Sequence, residues 1–179
     1  MTRLVTTLTL LAVLTPAAGA ADYQKLADEA KWEWEADRAT VLHAMLNYHG
    51  DYQVEVAKKP NTFGDLTVRF TKDGKEALAL KGSYATTFVG KDSILYYTEY
   101  HPSASGCALV AYDLANKKEL WKTRLKGLGP IPHFQYSNLV TVDLVGDAVK
   151  VLGNESAGRY VEFVDLKTGK TAGHKVFPR

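Results

Sequence analysis

Between Asp22 and Tyr48 the chain carries no Gly or Pro, and apolar residues return at helical intervals. Leu26, Ala30, Trp34, Val41, Met45 and Tyr48 fall on or near one stripe, interrupted by Arg38. That spacing predicts a helix over 22–48, capped by Asp22 and ended by Gly50, with Asp37 or Thr40 as points of division. After Gly50 the pattern changes and no further helical stripe follows. Short runs rich in Val, Thr, Tyr and Phe alternate with clusters of Gly, Asp, Asn and Pro. They predict strands at 51–57, 65–71, 75–81, 84–89, 93–100, 107–113, 118–124, 138–144, 148–153, 159–165 and 170–177. Turn signals separate them, among them Lys72-Asp73-Gly74, Gly90-Lys91-Asp92, Gly146-Asp147 and Lys167-Thr168-Gly169. Short strands at hairpin spacing behind one helical prefix predict a mainly β, antiparallel domain.

One hairpin pattern is written twice. "VAYDLANKKELW" (110–121) and "EFVDLKTGKTAG" (162–173) place Asp113 on Asp165, Leu114 on Leu166 and Lys118 on Lys170. An aspartate opening such a turn accepts hydrogen bonds from the amides that follow, and Gly or Asn at the tip tolerates positive φ. A third hairpin at 66–80 looks one residue shorter across its turn. Each full unit reads as four strands, giving repeats near 84–125 and 137–178 with a partial one before them.

The first copy resembles the strand–turn–strand signature of quinoprotein (PQQ-type) β-propeller blades, A-x-D-x-x-T-G-K-x-x-W. Ala111, Asp113, Lys118, Glu119, Leu120 and Trp121 follow its common form, and "DLKTGK" at 165–170, with Gly169, follows its middle. In that family the tryptophan docks one blade against the next, so the resemblance implies a packing role for Trp121. The chain departs from the pattern where Asn116-Lys117 replaces Thr-Gly and where Gly173 takes the second tryptophan position. Blades need roughly 40–50 residues and closed rings at least four of them, so residues 51–179 hold about three. The expectation is propeller-blade-like meanders, about two full repeats and a partial one, not a complete closed propeller. A β-sandwich stays open as an alternative, and no quinone or other cofactor is expected.

Composition changes the picture mainly through compartment. Arg3, an apolar run from Leu4 to Leu14, Pro16 and the small residues Ala18-Gly19-Ala20 have the layout of a signal peptide cleaved after Ala20. That run is about half of the ~20 residues that span a bilayer, so no stable membrane insertion is expected. The division is then 1–20 signal peptide, 21–50 helical segment and 51–179 β domain, in a secreted or periplasmic protein. Net charge is +2 with both signs interspersed, which disfavours nucleic acid as a partner. A single cysteine, Cys107, rules out an intrachain disulfide, so the core alone must hold the fold.

Catalytic signatures are absent from the text of the chain. Of five histidines, His43 and His49 are the only close pair, on different helix faces, and no zinc, calcium or serine-elbow motif occurs. No metal site is expected. A small hydrolase using a loop histidine with Cys107 or a carboxylate is one alternative reading. An assembly protein whose incomplete ring is finished by a partner or a second copy is another. The leading expectation is a non-catalytic domain that binds protein or glycan, or serves as a scaffold. Its binding residues would be Tyr100, His101, His133, Phe134 and Tyr136, in and beside the loops "HPSASG" (101–106) and "GLGPIPH" (127–133), where aromatic rings offer large contact area.

Overall fold

The computed structural model describes residues 21–32, 50–58, 66–82, 87–100, 107–125, 139–155 and 158–178. One helix, α1, spans Tyr23–Glu29, and the Asp22 side chain caps it by accepting the Lys25 amide at 3.0 Å. Ala30 is already extended (φ −61°, ψ 136°), so the helix ends well before the predicted 48, and residues 33–49 lie outside the described residues. Lys175 Nζ donates to the carbonyls of Asp28 and Ala30 that the helix leaves open. Beyond them Trp32 packs on Phe177, with ring centroids 5.5 Å apart. The buried stripe is also displaced from the expected one. Ala27 is fully buried with Tyr23 and Ala30 beside it, whereas Leu26 is 41% exposed.

The eleven strands are β1 (Gln53–Lys58), β2 (Leu66–Lys72), β3 (Lys75–Gly82), β4 (Phe88–Lys91), β5 (Ile94–Tyr100), β6 (Cys107–Asp113), β7 (Lys118–Arg124), β8 (Leu139–Val145), β9 (Ala148–Glu155), β10 (Gly158–Asp165) and β11 (Thr171–Phe177). They form three antiparallel sheets in chain order, β1-β2-β3, β4-β5-β6-β7 and β8-β9-β10-β11. This is a mainly β fold of open, blade-like meanders, two of four strands and one of three, with no closed barrel among the described residues. Each sheet carries a bulge at the same place, leaving Ala77, Leu120 and Ala172 unpaired on the last strand. Registers beyond the bulge make Leu78, Trp121 and Gly173 equivalent positions. The hairpin at 66–80 closes through Asp73-Gly74, with both φ values positive, as a two-residue turn demands. The other two hairpins have four-residue tips, so it is two residues shorter, not one.

Strand parity sends alternate side chains to opposite faces, and the sheets use both faces to stack. Between the first and second sheets lie Val68, Phe70, Leu80, Phe88 and Leu95, with Phe70 edge-on to Phe88 at 5.2 Å. Between the second and third lie Tyr96, Leu109, Ala111, Val142, Val149, Val151 and Val164. The far side of the third sheet buries Ala148, Val161, Phe163 and Phe177 beneath α1. Full burial of each large side chain stabilises the fold by about 1.5–3 kcal/mol, which suffices without a disulfide.

Candidate functional site

The strand directions sort the connections by length. Tight turns at 73–74, 92–93, 114–117, 146–147 and 166–169 all sit at one end of the stack. At the opposite end are the strand termini that flank the longer connections, 59–65, 83–87, 101–106 and 125–138, together with the two-residue connection 156–157. The ends of the three sheets correspond, because the turn of one sheet touches the turn of the next. Lys117 Nζ donates to the Glu76 carbonyl at 2.8 Å, and Trp121 Nε1 donates to the Leu166 carbonyl at 3.0 Å.

The turn end is built from two matching corners. Asp113 Oδ1 accepts the amides of Ala115 and Asn116, and its Oδ2 accepts Asn116 Nδ2 at 2.7 Å. Asp165 Oδ1 accepts the amides of Lys167 and Thr168 and the Thr168 hydroxyl, again at 2.7 Å. Leu114 N donates to Ser93 O and Leu166 N to Asp147 O, both at 2.9 Å, tying each corner to the preceding turn of its own sheet. Hydrogen bonds from Asn116 hold the Asp113 carboxyl below the usual range, and those from Thr168 do the same for Asp165. The indole of Trp121 lies over the second corner. A Cβ on Gly169 (φ +67°) would sit 2.6 Å from its ring, and Thr123 Oγ1 donates to the Gly169 carbonyl. The carboxylate bonds of each corner close its own turn.

The loop end rests on a rigid floor. Thr98 Oγ1 accepts the Thr87 amide and Thr98 N donates to the Thr87 carbonyl, each at 2.9 Å, with both residues fully buried. Tyr100 pairs with Cys107 across β5 and β6, and Leu125 N donates to the Cys107 carbonyl at 3.0 Å. Cys107 is 1% exposed, within the core between the second and third sheets. Tyr160 and Glu162 are fully buried on the same face of β10, where Thr171 Oγ1 donates to Glu162 Oε1 at 2.6 Å. Strand parity is the signal that could have singled out Glu162, since it shares the core face of Tyr160 and Val164. Burial raises the Tyr96 hydroxyl pKa and pushes that of Tyr97 up to about 12. These rings thus belong to the packing.

Of the five residues predicted to bind, the backbone of Tyr100 ends β5 at this loop-bearing end. His101, His133, Phe134 and Tyr136 lie outside the described residues, as do His43 and His49. His174 is exposed on β11, in a different sheet from Cys107. Among the described residues no three His, Cys, Asp or Glu side chains gather to hold a metal, and no helix is long and apolar enough to cross a membrane.

No protein-family model matches the chain, and no curated protein matches it. Among solved structures, the Bacillus megaterium YpeB C-terminal domain is similar over 79% of this chain and 96% of that one, at 10% identity and a TM-score of 0.20. A superposition that loose carries no argument about fold or function.

Proposed function

We propose that this chain is an exported, non-catalytic β domain that binds a protein or glycan partner through the loops at one end of its sheet stack. The observation that supports it is the sorting of connections: the longest, 59–65, 101–106 and 125–138, all start and finish at one end of the stack, while the opposite end carries only short turns. The chain leaves the second sheet at that end after β5 and again after β7, beside the buried Thr87–Thr98 bonds. Side chains displayed on a rigid β scaffold from neighbouring loops are the usual way such folds bind. Burial of Cys107 weighs against thiol chemistry, because a nucleophile must reach its substrate. The two ends of the stack weigh against a ring completed by a partner. One outer face is covered by α1, and the other carries the Glu55–Arg69–Glu76 ion pairs.

The test is a glycan array and a pull-down with Tyr100→Ala, His101→Ala and Phe134→Ala, beside Asn116→Ala and Lys167→Ala as controls from the turn end. Loss confined to the loop variants is the expected result. Binding that survives all three, or that falls equally with the controls, removes the proposed site.

A further inference from the structure

The two-residue turns at the tight end of the stack fall into two classes. At 92–93 and 146–147 only the first residue, Asp92 or Gly146, has positive φ, the type II′ pattern. At 73–74 both residues do, Asp73 at +52° and Gly74 at +70°, the type I′ pattern. The classes are related by a flip of the peptide between the central residues, and the twist of a hairpin accepts either. In that flip the first residue keeps its positive φ and only the second changes sign, which glycine does without strain. Asp92 shows that an aspartate fits the first place of a type II′ turn in this molecule.

Asp73-Gly74 is also the single Asp-Gly pair of the chain, which has no Asn-Gly pair. Both residues are exposed, and a Cβ on Gly74 would meet nothing within 4 Å. The ladder closes at Lys72 and Lys75, so the Gly74 amide has no partner among the described residues. Nothing among them bonds the Asp73 carboxyl either, whereas those of Asp113 and Asp165 are tied to the amides of their own turns. At 92–93 the second residue carries a side chain, and its carbonyl is held by the Leu114 amide. An unbonded nitrogen and an unbonded carboxyl therefore meet at one place, on a turn with room to flip.

We infer that Asp73-Gly74 is a modification site, at which the folded chain converts aspartate spontaneously to isoaspartate. The Gly74 nitrogen attacks Asp73 Cγ, the N–Cγ bond forms, and the hydroxyl of the protonated carboxyl leaves with the amide proton as water. The resulting five-membered imide holds ψ of Asp73 in the negative range that a type II′ turn uses, so the peptide flip is the motion that closes the ring. Water then reopens it. Attack at Cγ restores aspartate. Attack at the main-chain carbonyl carbon breaks its bond to the Gly74 nitrogen and routes the backbone through Cβ, one atom longer. A two-residue tip has no slack for that atom, so conversion loosens the β2–β3 hairpin and the seat of Lys117 on the Glu76 carbonyl. The site lies at the turn end and is independent of the binding reading at the loop end.

The test ages the whole folded chain at physiological temperature and mildly acidic pH, beside Asp73→Asn, Asp73→Gly and a sample of the wild type in urea. Isoaspartate is mapped by electron-transfer fragmentation of proteolytic peptides. It should rise at position 73 before any other aspartate and be lost entirely in Asp73→Gly. Asp73→Asn tolerates the same positive φ and forms the same imide with ammonia as the better leaving group, so it should convert many-fold faster. Isoaspartate appearing first at Asp92 or Asp147 overturns the proposal. So does conversion seen in urea alone, or an Asp73→Asn chain that keeps its amide while folded.

Discussion

The corners at Asp113 and Asp165 share their carboxylate–amide hydrogen bonds and differ at three tip residues, of which the last decides the backbone. In the second, the tip residue with positive φ is Gly169. In the first it is Lys117, at φ +51°. A non-glycine residue there costs on the order of 1 kcal/mol. The difference follows from what lies above each tip. Gly169 is buried under the Trp121 indole, where even a methyl group has no room. The residue equivalent to Trp121 in the first sheet is the smaller Leu78, so the tip of the next sheet is open and Lys117 can reach over to the Glu76 carbonyl. Backbone geometry alone permits either residue, and the neighbouring sheet decides which is required.

The largest expected effect comes from removing the group that imposes the requirement. Trp121→Ala deletes a half-buried ring, its bond to Leu166 and its contact with Tyr96, and should lower unfolding free energy by about 3 kcal/mol in urea melts. The mirror experiment is Gly169→Ala, expected to cost about 2–3 kcal/mol from strain and overlap. Combined with Trp121→Ala, it should cost clearly less, because the overlap is gone. Simple additivity in that cycle would separate the tip from the tryptophan and break the comparison.

The paired aspartates sharpen it through pH. Both carboxyls are held below their usual 3.8, so their contribution is present above that value and fades as pH falls through the lower folded values. Asp165→Asn and Asp113→Asn keep an acceptor and remove the titration. Each should flatten the acid limb of the melting temperature against pH, and an unchanged limb would assign acid sensitivity elsewhere. At the other extreme, Tyr97 has a raised folded pKa. Its share of stability is intact below pH 10.0 and is lost as pH climbs toward about 12, a loss that Tyr97→Phe should abolish. The smallest effect is Lys117→Gly, which relieves the positive φ and should stabilise by a few tenths to 1 kcal/mol, less the lost bond to Glu76.

Much of this architecture is legible from residue order. The strands follow from short runs between turn residues, most of them rich in Val, Thr, Tyr and Phe, because each meander pairs neighbours in sequence and local pattern determines the partner. The bulges are not legible, nor is the reach of the helix. The stretch 22–48 has helical composition throughout, yet Lys175 and Phe177 are about 150 positions away in sequence and draw the chain out of the helix after Glu29. The choice of buried face fails for the same reason. Gly173 admits the backbone so closely that Ala27 fits beneath the helix where Leu26 would not. The corner residues Asp113, Trp121, Asp165 and Gly169 are readable because a repeat reveals them. A binding surface on loops has no repeat and no periodicity, so Tyr100, His101, His133, Phe134 and Tyr136 rest on residue type alone.

The clasp between the two chain termini sets an order of events. Gln24 and His174 stand 150 positions apart, so their union waits until every strand between them has been synthesised and laid down. A polypeptide that emerges amino end first delivers the lid long before the box. Until β8 to β11 arrive, Tyr23, Ala27 and Trp32 lack their seat, and a nascent or clipped molecule displays them to any chaperone or protease that surveys exposed apolar segments.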